Sequence, residues 1–125
     1  MTVIYTTTLK NNRLDEVTAL IDAGTGPGKL EIGTTGMALI LATVLLNDPA
    51  APAAASGVLT FTMPQSDTSA DNTGEAAEAR IRDSDNNDVV TGLTVGIAAE
   101  DVVLDSVSIT SGQTVTINSA TITHG

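Results

Sequence analysis

From Lys29 onward the chain is built of short runs in which apolar and polar residues alternate, each run closed by a turn signal, and this constrains the fold more than any other feature. Leu59, Phe61 and Met63 alternate with Val58, Thr60 and Thr62, and Ala77, Ala79 and Ile81 alternate with Glu78, Arg80 and Arg82. Successive strand side chains point to opposite faces, so each run predicts a strand with one face turned inward. Further strands are expected over 29–33, 38–46, 89–95, 102–105, 106–110 and 114–123. The 38–46 run is apolar on both faces, which predicts burial on both sides. Asp83-Ser-Asp-Asn-Asn-Asp88 reads as a hairpin turn and Ser111-Gly-Gln113 as a tight one. Residues 47–56, rich in Ala and Pro, form a connection without periodicity, and 64–74 a polar loop. The expected class is mainly β: a β-sandwich or barrel of six to eight short strands with one N-terminal α-helix, in a single domain over 1–125.

The N-terminal part follows a different rule. Residues 2–9 hold four Thr with Val3, Ile4 and Tyr5 and no turn former, a β-branched density that predicts an extended segment over 1–10. Asn11 or Asn12 can cap a helix, Asp15 and Glu16 suit its first turn, and Leu14, Val17, Leu20 and Ile21 form one stripe. With Gly24 as the C′ residue, the helix is expected over 12–23. An extended stretch leaves backbone N–H and C=O groups that are satisfied most readily at a sheet edge, its own or a neighbour's. Val3, Ile4, Tyr5, Thr6, Thr7 and Leu9 are therefore candidate subunit-contact residues. Val3, Tyr5, Thr7 and Leu9 would share one face, and Ile4, Thr6 and Thr8 the other. The competing expectation is a first strand tied into the protein's own sheet.

Composition narrows the function classes. A chain of 125 residues hides roughly two thirds of its unfolded surface, enough for one core. Its apolar side chains are aliphatic, with Tyr5 and Phe61 the only aromatic residues and no Trp, so platforms for bases or sugars are scarce. Without Cys there is no disulfide framework, thiolate nucleophile or Cys-bound zinc. The net charge of −10 and the scattering of Lys10, Arg13, Lys29, Arg80 and Arg82 argue against nucleic acid, which needs clustered cations. The opening Met1-Thr-Val-Ile-Tyr lacks a basic stretch followed by an apolar block, and the longest apolar run, 37–46, is about half of what a bilayer span needs. No membrane partner is expected, and synthesis is expected in the cytoplasm.

Four constellations could carry chemistry, and each has a plainer reading. Asp83, Asp85 and Asn87 are spaced like the opening of a calcium loop, but Asp88 and Thr94 stand where that loop needs Gly and Glu. A solvated hairpin turn is expected instead. Gly24-Thr-Gly-Pro-Gly-Lys29 is a faint phosphate-loop likeness that runs from helix to strand, the wrong way for a phosphate at a helix N-terminus. His124, the only His, sits beside the chain end, where relay geometry is hard to hold. Asp67, Asp71, Glu75 and Glu78 could supply a carboxylate pair for acid/base work but read as a solvated acidic loop, and Glu78, Arg80 and Arg82 read as cross-strand charge pairs. No enzyme activity, metal or cofactor is expected.

Longer stretches carry a resemblance. Tyr5-Thr-Thr-Thr-Leu-Lys10, Ile21-Asp-Ala-Gly-Thr-Gly-Pro-Gly-Lys-Leu-Glu-Ile-Gly33, Ser66-Asp-Thr-Ser-Ala-Asp-Asn-Thr-Gly-Glu75, Ala79-Arg-Ile-Arg-Asp-Ser84 and the ending Gly112-Gln-Thr-Val-Thr-Ile-Asn-Ser-Ala-Thr-Ile-Thr-His124 together resemble a family of small virion proteins of tailed bacteriophages and prophages. The likeness spans nearly the whole chain, apart from the Ala-Pro stretch 49–55. It implies a head decoration or cement role on the capsid surface of the virion. The implied partners are the major capsid protein and further copies of the chain, a trimer by analogy with other cement proteins. A tail-tube, collar or head-completion component is the alternative within the virion. A carbohydrate-binding β-sandwich on the particle is the alternative of another class. No functional-residue motif comes with the resemblance.

Overall fold

The helix begins earlier than its apolar spacing predicts. In the computed structural model, which describes residues 3–124, α1 spans Thr7–Ile21. Thr6 is its N-cap: Oγ1 accepts the Leu9 N–H at 3.2 Å, and the Thr6 carbonyl accepts the Lys10 N–H at 3.0 Å. A threonine hydroxyl is a good cap, so the same Thr density that favours extended backbone supplies a helix start. The expected extended segment therefore ends at Thr6. Thr7, Thr8 and Leu9 are helical, and Met1 and Thr2 lie outside the described residues.

The other end of the helix also departs from expectation. Leu14 and Ile21 are buried and Val17 packs at the core margin, while Leu20 is exposed. With 3.6 residues per turn, Ile21 falls about 20° from Leu14 but Leu20 about 120° away. Gly24 is not a left-handed C′ residue. It is required by close approach, since a Cβ there would collide with the Ser84 side chain. At Gly28 a Cβ would collide with Ile21 Cγ2 and come within 2.9 Å of the Arg82 carbonyl, which is backbone and cannot move aside. These two glycines let the helix end seat directly on the β-body.

Ten strands follow: β1 (Lys29–Gly33), β2 (Ile40–Leu45), β3 (Val58–Thr60), β4 (Gln65–Asp67), β5 (Gly74–Glu75), β6 (Glu78–Arg82), β7 (Asp88–Gly96), β8 (Val102–Leu104), β9 (Ser108–Ile109) and β10 (Val115–Thr123). Eight of them form one curled sheet, a half-barrel in the order β2-β1-β6-β7-β8-β10-β3 with β4 also on β10; β5 and β9 pair separately. All pairings are antiparallel except β7 with β8, which lie parallel over Val95–Gly96 and Val102–Val103. In the short return between them, Thr94 N–H donates to Asp101 Oδ2 and Asp101 N–H to Thr94 Oγ1, both at 3.0 Å. The protein is thus mainly β with one N-terminal helix, as the alternation predicts. The extra strands are two- and three-residue pieces inside segments expected to be loops.

Strand β10 is the spine. One edge pairs with β8, while the other pairs first with β4 and then with β3. Its buried residues change parity from Val115 and Ile117 to Ala120 where the register with β8 shifts, between Ile117 and Ser119. A one-residue slip would turn every side chain over, so the bulge keeps the apolar set inward on both sides of the break. β7 does the same, with Gly92 at φ 74° between Val90 and Leu93.

Both outer strands of the curled sheet are covered. At β2, Thr43 N–H donates to Asp67 Oδ2 at 3.0 Å, the Leu41 carbonyl accepts from Asp71 N at 2.7 Å, and the Ile40 carbonyl accepts from Asn72 Nδ2 at 2.8 Å. β2 is thus an edge strand: Leu41, Ala42 and Val44 are fully buried as expected for this run, while Leu39 and Leu45 at its ends are exposed. At β3, the Ala55 and Val58 backbones exchange hydrogen bonds of 3.0 and 2.9 Å across Ser56 and Gly57, and Thr62 N–H donates to the Ala50 carbonyl. Ser56 and Gly57 have φ of 53° and 73°, as a two-residue hairpin turn requires. The 50–57 strap is held in turn by α1. Asn11 Oδ1 accepts from Gly57 N at 2.9 Å, Asp15 Oδ1 from Ala54 N at 2.7 Å and Asp22 Oδ1 from Ala50 N at 3.2 Å. Asn11 and Asp15 therefore serve the strap and not the helix cap or first turn.

The core is aliphatic and contiguous. Ile21 of the helix joins Leu30, Ile32, Leu41, Leu59, Ile81, Leu104, Ile109 and Ile117 of the strands, all fully buried. The helix packs against β3 and β7. Burial of each such side chain stabilises by about 1.5–3 kcal/mol.

Candidate functional site

Of the candidate contact residues, the structure keeps Val3, Ile4, Tyr5 and Thr6 ahead of the helix and places Thr7 and Leu9 within it. The two alternating faces expected for an extended segment do not form, since the backbone turns helical after Thr6. Tyr5 is fixed to the body. Its ring stands edge-on to His124, centroids 5.7 Å apart, and the Arg13 guanidinium carbon lies 5.0 Å from its centroid. The His124 N–H donates to the Gly57 carbonyl at 2.9 Å, so the residue expected at a frayed end is anchored. Val3 and Ile4 project beyond this clamp with 73% and 84% of their surface exposed, the two highest values among the large exposed hydrophobic residues described.

That pair stands apart because it lies on a segment ahead of the folded body, whereas Ile97, Leu45 and Leu20 are exposed on the body itself. Unpaired sheet edges are the common route to unwanted pairing, and here β2 and β3 are both capped by side chains and loops of the same chain. The covering devices leave side chains, not backbone ladders, as the means of contact. Thr6 holds the base of the segment through its cap, and Leu9, 42% exposed, continues the apolar surface onto the first helical turn.

Charge is distributed unevenly around it. Arg80 and Arg82 are taken up by Glu31 and Asp88 at 2.6, 3.5 and 2.7 Å, a ladder on β1, β6 and β7. Glu78 takes no part in it. Lys29 Nζ donates to Asn86 Oδ1 at 2.5 Å. Lys10 and Arg13, next to the exposed pair, form no ion pair among the described residues.

The remaining sequence constellations are structural. Asp83 is buried and its oxygens accept from Asp85 N, Asn87 N and Asn87 Nδ2 at 2.9, 2.9 and 3.0 Å. The Asn87 backbone bond leads the contacts that hold its pKa below the ordinary 3.8. Its acceptor capacity is spent on the turn. Asp67 is likewise committed to Thr43 N and Ser69 N. Asp22 shifts the other way: desolvation raises its pKa, the Ala50 bond opposes that, and Asp48 adds to it. No group of three or more His, Asp or Glu residues placed to hold a metal occurs among the described residues. Two depressions stand out, one of about 50 Å³ lined by Leu104, Asp105, Gln113 and Thr116, and a wider open one of about 430 Å³ lined by Thr34, Thr35, Glu75 and Ala77. No helix among the described residues is long and apolar enough to cross a membrane.

Arg13 and His124 were not marked as partners of Tyr5 by any local pattern. The strap could have been read from Asn11, Asp15 and Asp22, which share one helical face beside the apolar stripe. The fold defines a half-barrel of eight strands with a separate two-strand pair and one helix packed against β3 and β7; no family model, curated protein or solved structure matches the chain.

Proposed function

We propose that the protein is a structural subunit of a tailed-phage virion, a capsid decoration (cement) protein that binds the head lattice and stabilises it against internal pressure. The observation that carries a binding role is the exposed pair Val3 and Ile4 standing on a segment clamped at Tyr5. A body with covered sheet edges and an aliphatic core has no need of these residues for its own folding. Buried against a neighbour they would contribute about 1.5–3 kcal/mol each, and many copies on a lattice add avidity. The family resemblance supplies the virion, with the major capsid protein and further copies of the chain as partners.

A tail-tube, collar or head-completion component would use the same contact. The carbohydrate-binding alternative has less to draw on, because Phe61 is in the core and Tyr5 is occupied by Arg13 and His124. Phage lacking the protein tests the proposal. Heads that assemble but rupture at lower temperature or milder osmotic shock are the expected result. Absence of heads, or normal heads without tails, would overturn the decoration assignment.

A further inference from the structure

The two ends of the half-barrel differ in charge. β10 spans about 26 Å at 3.3 Å per residue, so features at its start and finish lie on opposite ends of the molecule. At its finish, Thr123 pairs with Val58, and the adjoining His124 and Gly57 receive Tyr5 and the first turns of α1 with Lys10 and Arg13. The helix N-terminus adds its own positive pole there. At its start, Val115 pairs with Asp67, and the Ala70 and Gly112 turns, the Ala76–Val107 bond and the Ala77–Gly33 bond gather the connecting loops. That end carries Asp71, Glu75, Glu78 and Asp105, with Asp67 bonded to Thr43 N and Arg80 in the same row already paired with Glu31. It also holds the open depression of Thr34, Thr35, Glu75 and Ala77, beside Leu39, which is 41% exposed and hydrogen-bonded to Thr34.

We infer that a second copy of this chain docks head to tail, with Val3 and Ile4 of one copy entering the depression beside Leu39 and Glu75 of the next while Lys10 and Arg13 face its acidic rim. The partner is chosen by complementarity. In a chain of net charge −10, the bases left without an acid beside the exposed apolar pair face a need for an acidic surface, and the opposite end of the same molecule supplies Glu75 in a depression where Ala77 and the neighbouring Leu39 offer apolar contact between the Thr34 and Thr35 side chains. Such a contact joins two different surfaces, so repetition closes a ring or extends a filament, and a face-to-face dimer is not expected. The inference rests on the reading of residues 3–6 as a contact segment, and it holds with or without a capsid.

Sedimentation velocity of the purified full chain, alone, over a range of concentrations at low and high ionic strength tests it. Wild type is expected to self-associate at low salt and to dissociate at high salt. Ile4→Asp should weaken association by about tenfold or more. Lys10→Glu and Glu75→Lys should each weaken it when studied singly, while their equimolar mixture should associate again, because each supplies the sign the other lost. Circular dichroism confirms that each variant is folded. A wild type that stays monomeric at low salt, or a mixture no better than its components, overturns the head-to-tail contact. Binding of the same variants to isolated heads, measured separately, reports on the decoration proposal and can succeed or fail independently.

Discussion

Asp83 and Asp22 are the same side chain in opposite circumstances, and pH separates them. Asp83 has its folded pKa below 3.8, so the stability it confers is complete above that value and is lost as pH falls through the lower folded one. Asp83→Asn should lower the melting temperature at neutral pH and flatten its decline below pH 3.8. Asp22 has its folded pKa above 3.8, so ionisation there opposes folding, and stability from this group rises as pH falls through that value. Asp22→Asn should leave the neutral-pH melting temperature unchanged or higher and abolish that rise. Thr18 offers a third single-residue test. Its Oγ1 is buried without a hydrogen-bond partner, so Thr18→Val should stabilise by about 1 kcal/mol in urea unfolding.

At the scale of elements, period-two alternation located the longer strands because each has one inward face, and breaks in that alternation at Thr91-Gly92 and Asn118-Ser119 mark the bulges. The short strands β4 and β5 carry too few residues to show a period, and of the strand expected over 106–110 only Ser108–Ile109 forms. The helix start was misplaced because Thr serves both extended backbone and N-caps, and only the bond from Leu9 N to Thr6 decides between them. Of the six candidate contact residues, Val3, Ile4, Tyr5 and Thr6 stand ahead of the helix and Thr7 and Leu9 within it; the clamp on Tyr5 was not legible, because His124 is distant in sequence. Two predictions belong here. Gly28→Ala should destabilise by about 1–3 kcal/mol, since its Cβ would meet Ile21 and the Arg82 carbonyl, both fixed by packing. Asp15→Ala should free the Ala54 N–H and speed its hydrogen exchange, loosening the strap over β3 without unfolding the sheet.

For the molecule as a whole, the acidic charge, aliphatic core and covered edges describe a body that resists unspecific association, with Val3 and Ile4 the most exposed of its large apolar side chains described. Composition made the first two legible, but the separation of charge between the ends of β10 depends on how loops far apart in sequence are gathered, which no local pattern records. The central claim is that residues 3–6 bind a neighbouring subunit on the outside of the head. A cryo-EM map of tailed-phage particles carrying this protein tests it most directly. The half-barrel is expected on the outer head surface with Val3 and Ile4 buried against a neighbour. Density in the tail, or on the head with those two residues facing solvent, would contradict it.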